Sequence, residues 1–299
     1  MKTQRASLSK RGFTLMELMV AMAITTIIVT VLVSITSIAI DTWNRSRSEL
    51  RAARQAKSMV ETMARDFEAL VTRSGNENEW LSAAARADDA STNAVDLVFF
   101  SAATDRYNGQ IGVTGVDNGG DVSCVGYKLK WKDPIDGGSS GDFETFVLNR
   151  LVVNPDDTFK DLLGQSTLSE KFDKGTKYGD LLEEPENFVC ENVFQFTVTF
   201  HVEVPPASGT GAALNRLVTI STQDGVQKFS IKGSGIVTDP ADLTLTAGRV
   251  TGVEISLTVL SDSGINLLGR PGNSSKAKDP AWLAKNSYNY SKLVQLPGM

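Results

Sequence analysis

Histidine is almost missing from these 299 residues, His201 being the only one, and cysteine occurs twice, as Cys124 and Cys190. An enzyme needs a convergent polar site, and a lone histidine with no recognisable nucleophile motif leaves little to build one from, so no enzymatic activity is expected. No Gly-Lys-Ser/Thr follows the glycines of Ala207-Ser208-Gly209-Thr210-Gly211, and Pro205-Pro206 precedes them, which argues against a phosphate-binding loop there. Internal repeats are not apparent. Glycine and proline are absent from Phe13 to Ser74, so this stretch of 62 residues reads as one helix of roughly 93 Å ending at Gly75. Inside it, the 23 residues from Leu18 to Ile40 also lack charge. As a helix they span about 35 Å, enough to cross a hydrocarbon core of about 30 Å with some tilt.

Six hydroxyl residues, Thr25, Thr26, Thr30, Ser34, Thr36 and Ser37, interrupt the apolar run. Each can bond a carbonyl one turn back or a neighbouring helix, so the segment suits contact with other helices as well as lipid. Lys2, Arg5, Lys10 and Arg11 precede the run and no acid occurs before Glu17. Basic flanks are retained on the cytoplasmic side, which places the remaining chain outside the cytoplasm, and Trp43 falls where a span meets the headgroups. Glu17 is out of keeping with its surroundings: an ionised side chain within a bilayer costs roughly 2.5 to 3.5 kcal/mol at the centre, and only a cationic partner offsets that well.

Gly12-Phe13-Thr14-Leu15-Met16-Glu17 resembles the prepilin cleavage and methylation motif of type IV pilins and type II secretion pseudopilins. The resemblance implies that a prepilin peptidase cuts between Gly12 and Phe13 and methylates the new amino group of Phe13. It further implies that Glu17, then the fifth residue, pairs with the N-terminal amine of a neighbouring subunit. An ordinary secretory signal and an uncleaved anchor are the plainer readings. Ala21-Met22-Ala23 fits a small-x-small cleavage pattern but lies near the start of the apolar run instead of after it.

Four of the 30 basic residues lie in the leader, so the rest of the chain carries 26 basic against 35 acidic residues, a net charge of −9. That sign gives nucleic-acid binding no support. About 225 residues remain beyond the helix, enough for one substantial core. In an oxidising compartment Cys124 and Cys190 are a candidate disulfide, with two separate buried thiols as the equal alternative.

Beyond the span, Asp41 with Arg45 and Glu61 with Arg65 stand at i,i+4 spacing on a solvated face. Ala56, Val60, Met63, Phe67 and Leu70 draw one apolar stripe that must cover a surface. Asn76 to Asn93 reads as polar chain with an alanine-rich piece. Strands are expected at Ala94–Ser101, Cys124–Trp131 and Thr145–Val153, with Asp133-Pro134-Ile135-Asp136-Gly137-Gly138 as a turn and short helical pieces up to Glu186. Phe188–Val204 gives the clearest strand, setting Phe194, Phe196, Val198, Phe200, Val202 and Val204 on one face and His201 on the polar other. Leu217–Ser221 and Val226–Ile231 read as a hairpin around Asp224-Gly225, and Gly248–Leu260 alternates cleanly.

The fold class expected is therefore α+β: a pilin-like fold in which a long N-terminal transmembrane helix packs its second half on an antiparallel sheet domain. Its parts are a leader (1–12), the transmembrane and assembly helix (13–40), its amphipathic continuation (41–74), an extracytoplasmic β-rich domain (75–260) and a polar tail (261–299), partly ordered or disordered. Asp117-Asn118-Gly119-Gly120-Asp121 resembles loops in which some pseudopilins bind calcium; a solvated turn is the simpler reading, and no cofactor is otherwise expected.

Met59 to Phe67, with Arg65-Asp66 near the helix end, resembles J-type minor pseudopilins, as do the long strand Phe188–Val204 and Val250-Thr251-Gly252-Val253-Glu254-Ile255. A chain like the C-type protein of Verru_Chthon cassettes is a related reading, and about 205–247 looks like an insertion. Retention of Glu17 argues against the large tip subunit of type II systems. The resemblance implies a minor structural subunit in the cytoplasmic membrane whose partners are prepilin peptidase and other pilin or pseudopilin subunits. A minor type IV pilus subunit for adhesion or DNA uptake is the first alternative, and a single-span anchored extracytoplasmic enzyme the more remote one.

Overall fold

A computed structural model describes residues 14–86, 93–102, 120–133, 145–206, 211–222, 225–268 and 279–296. The chain divides into two compact units, Met1–Glu49 and Leu50–Met299. Helix α1, Leu15–Glu68, runs through the boundary. Its part in the first unit is exposed all round up to Arg47. Thr25, Thr26, Thr30, Ser34 and Thr36 each donate to the carbonyl four residues back at 2.8–3.0 Å, which satisfies their hydroxyls without an outside partner, as expected in an apolar run.

The second unit holds the core. Strands β1 (Glu79–Arg86), β2 (Ala94–Ser101), β3 (Ser123–Lys132), β4 (Thr145–Val153), β5 (Phe188–Glu191), β8 (Lys228–Lys232) and β9 (Gly235–Asp239) make a seven-stranded sheet ordered β5-β4-β3-β2-β1-β8-β9. β6 (Val193–Val204), β7 (Leu214–Thr219), β10 (Arg249–Leu260) and β11 (Ser287–Gln295) make a second, ordered β11-β10-β6-β7. Every pairing between these strands is antiparallel.

One face of the larger sheet, the apolar face of the smaller sheet and the stripe of α1 share a single core. Ala52, Ala56, Met59, Val60, Met63, Ala64 and Phe67 are the buried helix positions, spaced for one face of a 3.6-residue turn. Phe67 stacks on Phe99 of β2, their centroids 4.5 Å apart. Phe146 of β4 meets Phe194 edge-on at 5.4 Å and Phe200 stacks on Phe229 at 4.1 Å, so aromatic pairs fasten the two sheets to each other at both ends of β6.

The other face of the larger sheet is covered too. Short helical turns at Pro155–Asp157, Thr158–Leu162, Ser169–Phe172 and Pro185–Asn187, with helix α2 (Lys177–Leu182), lay Leu162, Leu168, Phe172, Tyr178 and Leu182 over Trp80, Val98, Phe100, Cys124, Leu151 and Val153. Gly126 is required beneath this layer, because a Cβ there would stand 2.9 Å from the Phe172 ring. A strand apolar on both faces loses its alternation, which is why β2 reads as a near-continuous apolar run.

Five expectations need correction. α1 ends at Glu68, not at Ser74, because Leu70 bridges Ser101 and Val71 donates to the Phe100 carbonyl, so the chain leaves the helix to pair with β2. The alanine-rich piece after Asn76 is β1, a central strand held between β2 and β8. Phe188–Val204 is two strands in different sheets, parted at Asn192, whose φ of 63° breaks the extended chain. Leu217–Ser221 and Val226–Ile231 are not a hairpin: β7 pairs with β6 and β8 with β1 and β9. The segment read as a polar tail contains helices α3 (Asp262–Leu268) and α4 (Pro280–Asn286), then β11, which pairs with β10 from Gly252↔Gln295 to Leu260↔Ser287.

Candidate assembly site at the head of the helix

Thr14 and Glu17 open α1 as a reciprocal cap. The Glu17 amide donates to Thr14 Oγ1 at 3.2 Å, while Glu17 Oε2 accepts from the Thr14 amide and hydroxyl, both at 3.0 Å. This is a capping box, in which two amide groups that the helix leaves unpaired are satisfied by the two side chains. A carboxylate in the first turn also complements the positive end of the helix dipole. The Thr-x-x-Glu spacing is the sequence signature of this cap, which gives the carboxylate a partner three residues away.

Glu17 is exposed, as are its apolar neighbours Leu15, Met16, Leu18 and Met19. The helix behind it has mean hydropathy 2.6 over its most apolar window, with none of that window buried, and is long and apolar enough to cross a membrane. One carboxylate at the end of such a helix can hold one cation, and its chemistry is charge pairing and not bond making. Gly12 and Phe13, the expected cleavage and methylation residues, lie outside the described residues.

The other residues singled out by the sequence do not join this site. Cys124 and Cys190 are free and buried. Cys124 pairs across from Val153 and Cys190 from Leu148, five residues apart along β4, and they lie in the two cores on opposite faces of the sheet. That offset is roughly 17 Å, well beyond the 7 Å or so that a disulfide spans. Burial pushes the Cys190 thiol up to about 12 and the Cys124 thiol well above its ordinary value, which disfavours the thiolate at both. His201 is half-buried on the outward side of β6. Asp117, Asn118 and Gly119 of the expected calcium loop lie outside the described residues, as do 134–144 and 207–210; among the described residues no group of three or more His, Cys, Asp or Glu could hold a metal.

Arg45 meets Glu49 at 3.0 Å, and Arg65 Nε donates to the Glu61 carbonyl at 3.4 Å. Asp66, beside Arg65, turns inward and takes Arg150 of β4 in a bidentate pair, both bonds 2.8 Å, while Tyr127 of β3 donates to its Oδ2. Burial and then the Asp66 charge raise the Tyr127 hydroxyl far above its usual range. Burial opposes the charge on Arg150, yet the Asp66 and Tyr127 contacts hold it more firmly protonated still. A second buried carboxylate, Glu79, has no signal in the local sequence. It accepts from the Leu168 amide at 2.5 Å, the Ser169 amide at 3.3 Å and the Ser230 hydroxyl at 2.6 Å, with Lys228 at 3.5 Å. Both are structural anchors, one for the helix end and one for the outer layer.

An apolar helix headed by a capped carboxylate, followed by a helix-backed antiparallel sheet domain, defines a membrane-anchored α+β protein whose architecture is consistent with the pilin-like fold. The family model for the prokaryotic N-terminal methylation motif matches residues 8–33, which contain Gly12, Phe13 and Glu17, and supports a type IV pilin-like or pseudopilin subunit. No curated protein and no solved structure matches the chain significantly.

Proposed function

We propose that the chain is a minor pseudopilin-like structural subunit of a type II secretion or type IV pilus-like fibre, without enzymatic activity. Prepilin peptidase cleaves it between Gly12 and Phe13 and methylates Phe13. The α1 head stays in the cytoplasmic membrane with the sheet domain on the extracytoplasmic side, and Glu17 pairs with the Phe13 amine of a neighbouring subunit. The observation that carries this reading is the methylation motif at 8–33 joined to a helix of membrane-crossing length. A cation is what an ionised carboxylate at membrane depth lacks, and the amine of a neighbour supplies one. The minor-subunit role rests on the J-type resemblance of Met59–Phe67 and of the later strands.

Intact mass and N-terminal sequencing of the protein recovered from membranes test the reading. A chain starting at N-methylated Phe13 is the expected result. A chain starting at Met1, in a host with active prepilin peptidase, reduces α1 to a plain anchor.

A further inference from the structure

Beyond Ile40 the character of the chain reverses within one helical turn. Residues 41–57 hold five basic side chains, Arg45, Arg47, Arg51, Arg54 and Lys57, against two acids, Asp41 and Glu49. In the first unit Trp43 is 62% exposed, and the Arg47 guanidinium stands over its ring at 5.5 Å. Arg45, 61% exposed, reaches Glu49. Arg51, Arg54 and Lys57 are exposed in the second unit.

A tryptophan ring lies most favourably at headgroup level, and arginines directly beyond a span place their guanidinium groups among lipid phosphates, which they bind through paired hydrogen bonds. The geometry points to a headgroup site: we infer that Trp43, Arg45 and Arg47 bind anionic phospholipid on the side of the membrane from which the sheet domain emerges. The inference rests on the reading that the head of α1 spans the membrane. It also exposes a tension in the sequence. Four basic residues precede the apolar run and five follow it within 17 positions, so positive charge flanks both ends. Once the leader is removed, the basic flank that remains lies on the far side from the cytoplasm. Positive charge alone would not favour that placement, and binding to anionic headgroups gives it a favourable one.

The test reconstitutes the full chain into phosphatidylcholine vesicles carrying a spin-labelled tracer, either phosphatidylglycerol or phosphatidylcholine, and measures the preference for the anionic lipid at the protein surface. The wild-type chain should prefer phosphatidylglycerol, and Arg45→Gln/Arg47→Gln should lower that preference by about twofold or more, given the attraction of each basic residue to an anionic surface. Arg45→Lys/Arg47→Lys should retain most of it, and salt near 1 M should abolish it. The leader charges contribute equally to all three chains. A preference unchanged by the glutamine pair, or absent from the wild type, overturns the inference. Resistance to carbonate extraction from both lipids reports the span separately, so a chain that is retained but indifferent to lipid charge sinks the headgroup site alone. A chain released by carbonate ends both readings.

Discussion

The two parts of α1 share a backbone geometry and almost nothing else. Up to Arg47 every side chain of the helix is exposed, and between Leu18 and Ile40 none is charged. From Ala52 to Phe67 a single stripe is buried to 5% exposure or less, and the opposite face carries Arg51, Arg54, Lys57, Glu61 and Arg65. The first part can be satisfied only by surroundings that are apolar on all sides, and the second supplies its own core. Helix formation is therefore not what distinguishes them; the solvent each requires is.

Glu17 breaks the comparison from the first side. Glu17→Val should leave insertion and cleavage intact while nearly abolishing incorporation into fibres, measured as the fraction of processed subunit recovered with sheared or detergent-isolated filaments. Normal incorporation would refute the pairing role. From the second side, Asp66→Ala leaves the partly buried Arg150 without its carboxylate and should destabilise the sheet domain by about 3 kcal/mol, read from denaturant unfolding. An effect below about 1 kcal/mol would mean that Arg150 finds solvent by relaxing.

Glu79→Ala sharpens the contrast within the domain. It removes the acceptor for two backbone amides and the Ser230 hydroxyl, so a loss of about 1 to 3 kcal/mol is expected, with faster hydrogen exchange in 155–187 than in β6 or β10. Uniform exchange would show that the outer layer and the core open together.

The smallest effect concerns pH. Glu183, the C-cap of α2, lies 2.9 Å from Lys128 and 3.3 Å from Lys130. Burial raises its carboxyl, but the two lysines outweigh that, and its folded pKa lies below the ordinary 4.5. A depressed carboxylate contributes stability above its unfolded value and loses it as pH falls through the folded one. Glu183→Gln should therefore lower stability by less than about 1 kcal/mol at neutral pH and converge with the wild type below the glutamate range. A constant difference down to pH 2 or so would contradict the assignment.

Much of this was legible in the residues, and the illegible parts have a common cause. The apolar run, the stripe of α1, and β2, β3, β4 and β10 declare themselves because each periodicity is local. β1 does not, since Ala83, Ala84 and Ala85 have poor strand propensity and are made a strand by neighbours on both sides. The break at Asn192 is marked in the sequence only by a single asparagine standing where the alternation calls for an apolar residue. Its amide and carbonyl groups are fixed by Thr145 and Asp262, 47 and 70 residues away. The sequence names Asp66 without naming Arg150, which lies 84 residues on. At the head of α1 the cap with Thr14 could be read from four consecutive residues, whereas the amine proposed to pair with Glu17 belongs to a second subunit.

The attachment of the helix end has a mechanical side. Asp66 is tied to Arg150 on β4 and Tyr127 on β3, and its carbonyl accepts from Ser101 on β2 at 3.0 Å. Tension arriving at this end of α1 is thus shared among three neighbouring strands at once. Unzipping an edge strand from a sheet breaks its bonds one by one, but freeing Asp66 requires the Arg150 ion pair and the Tyr127 and Ser101 hydrogen bonds to break together.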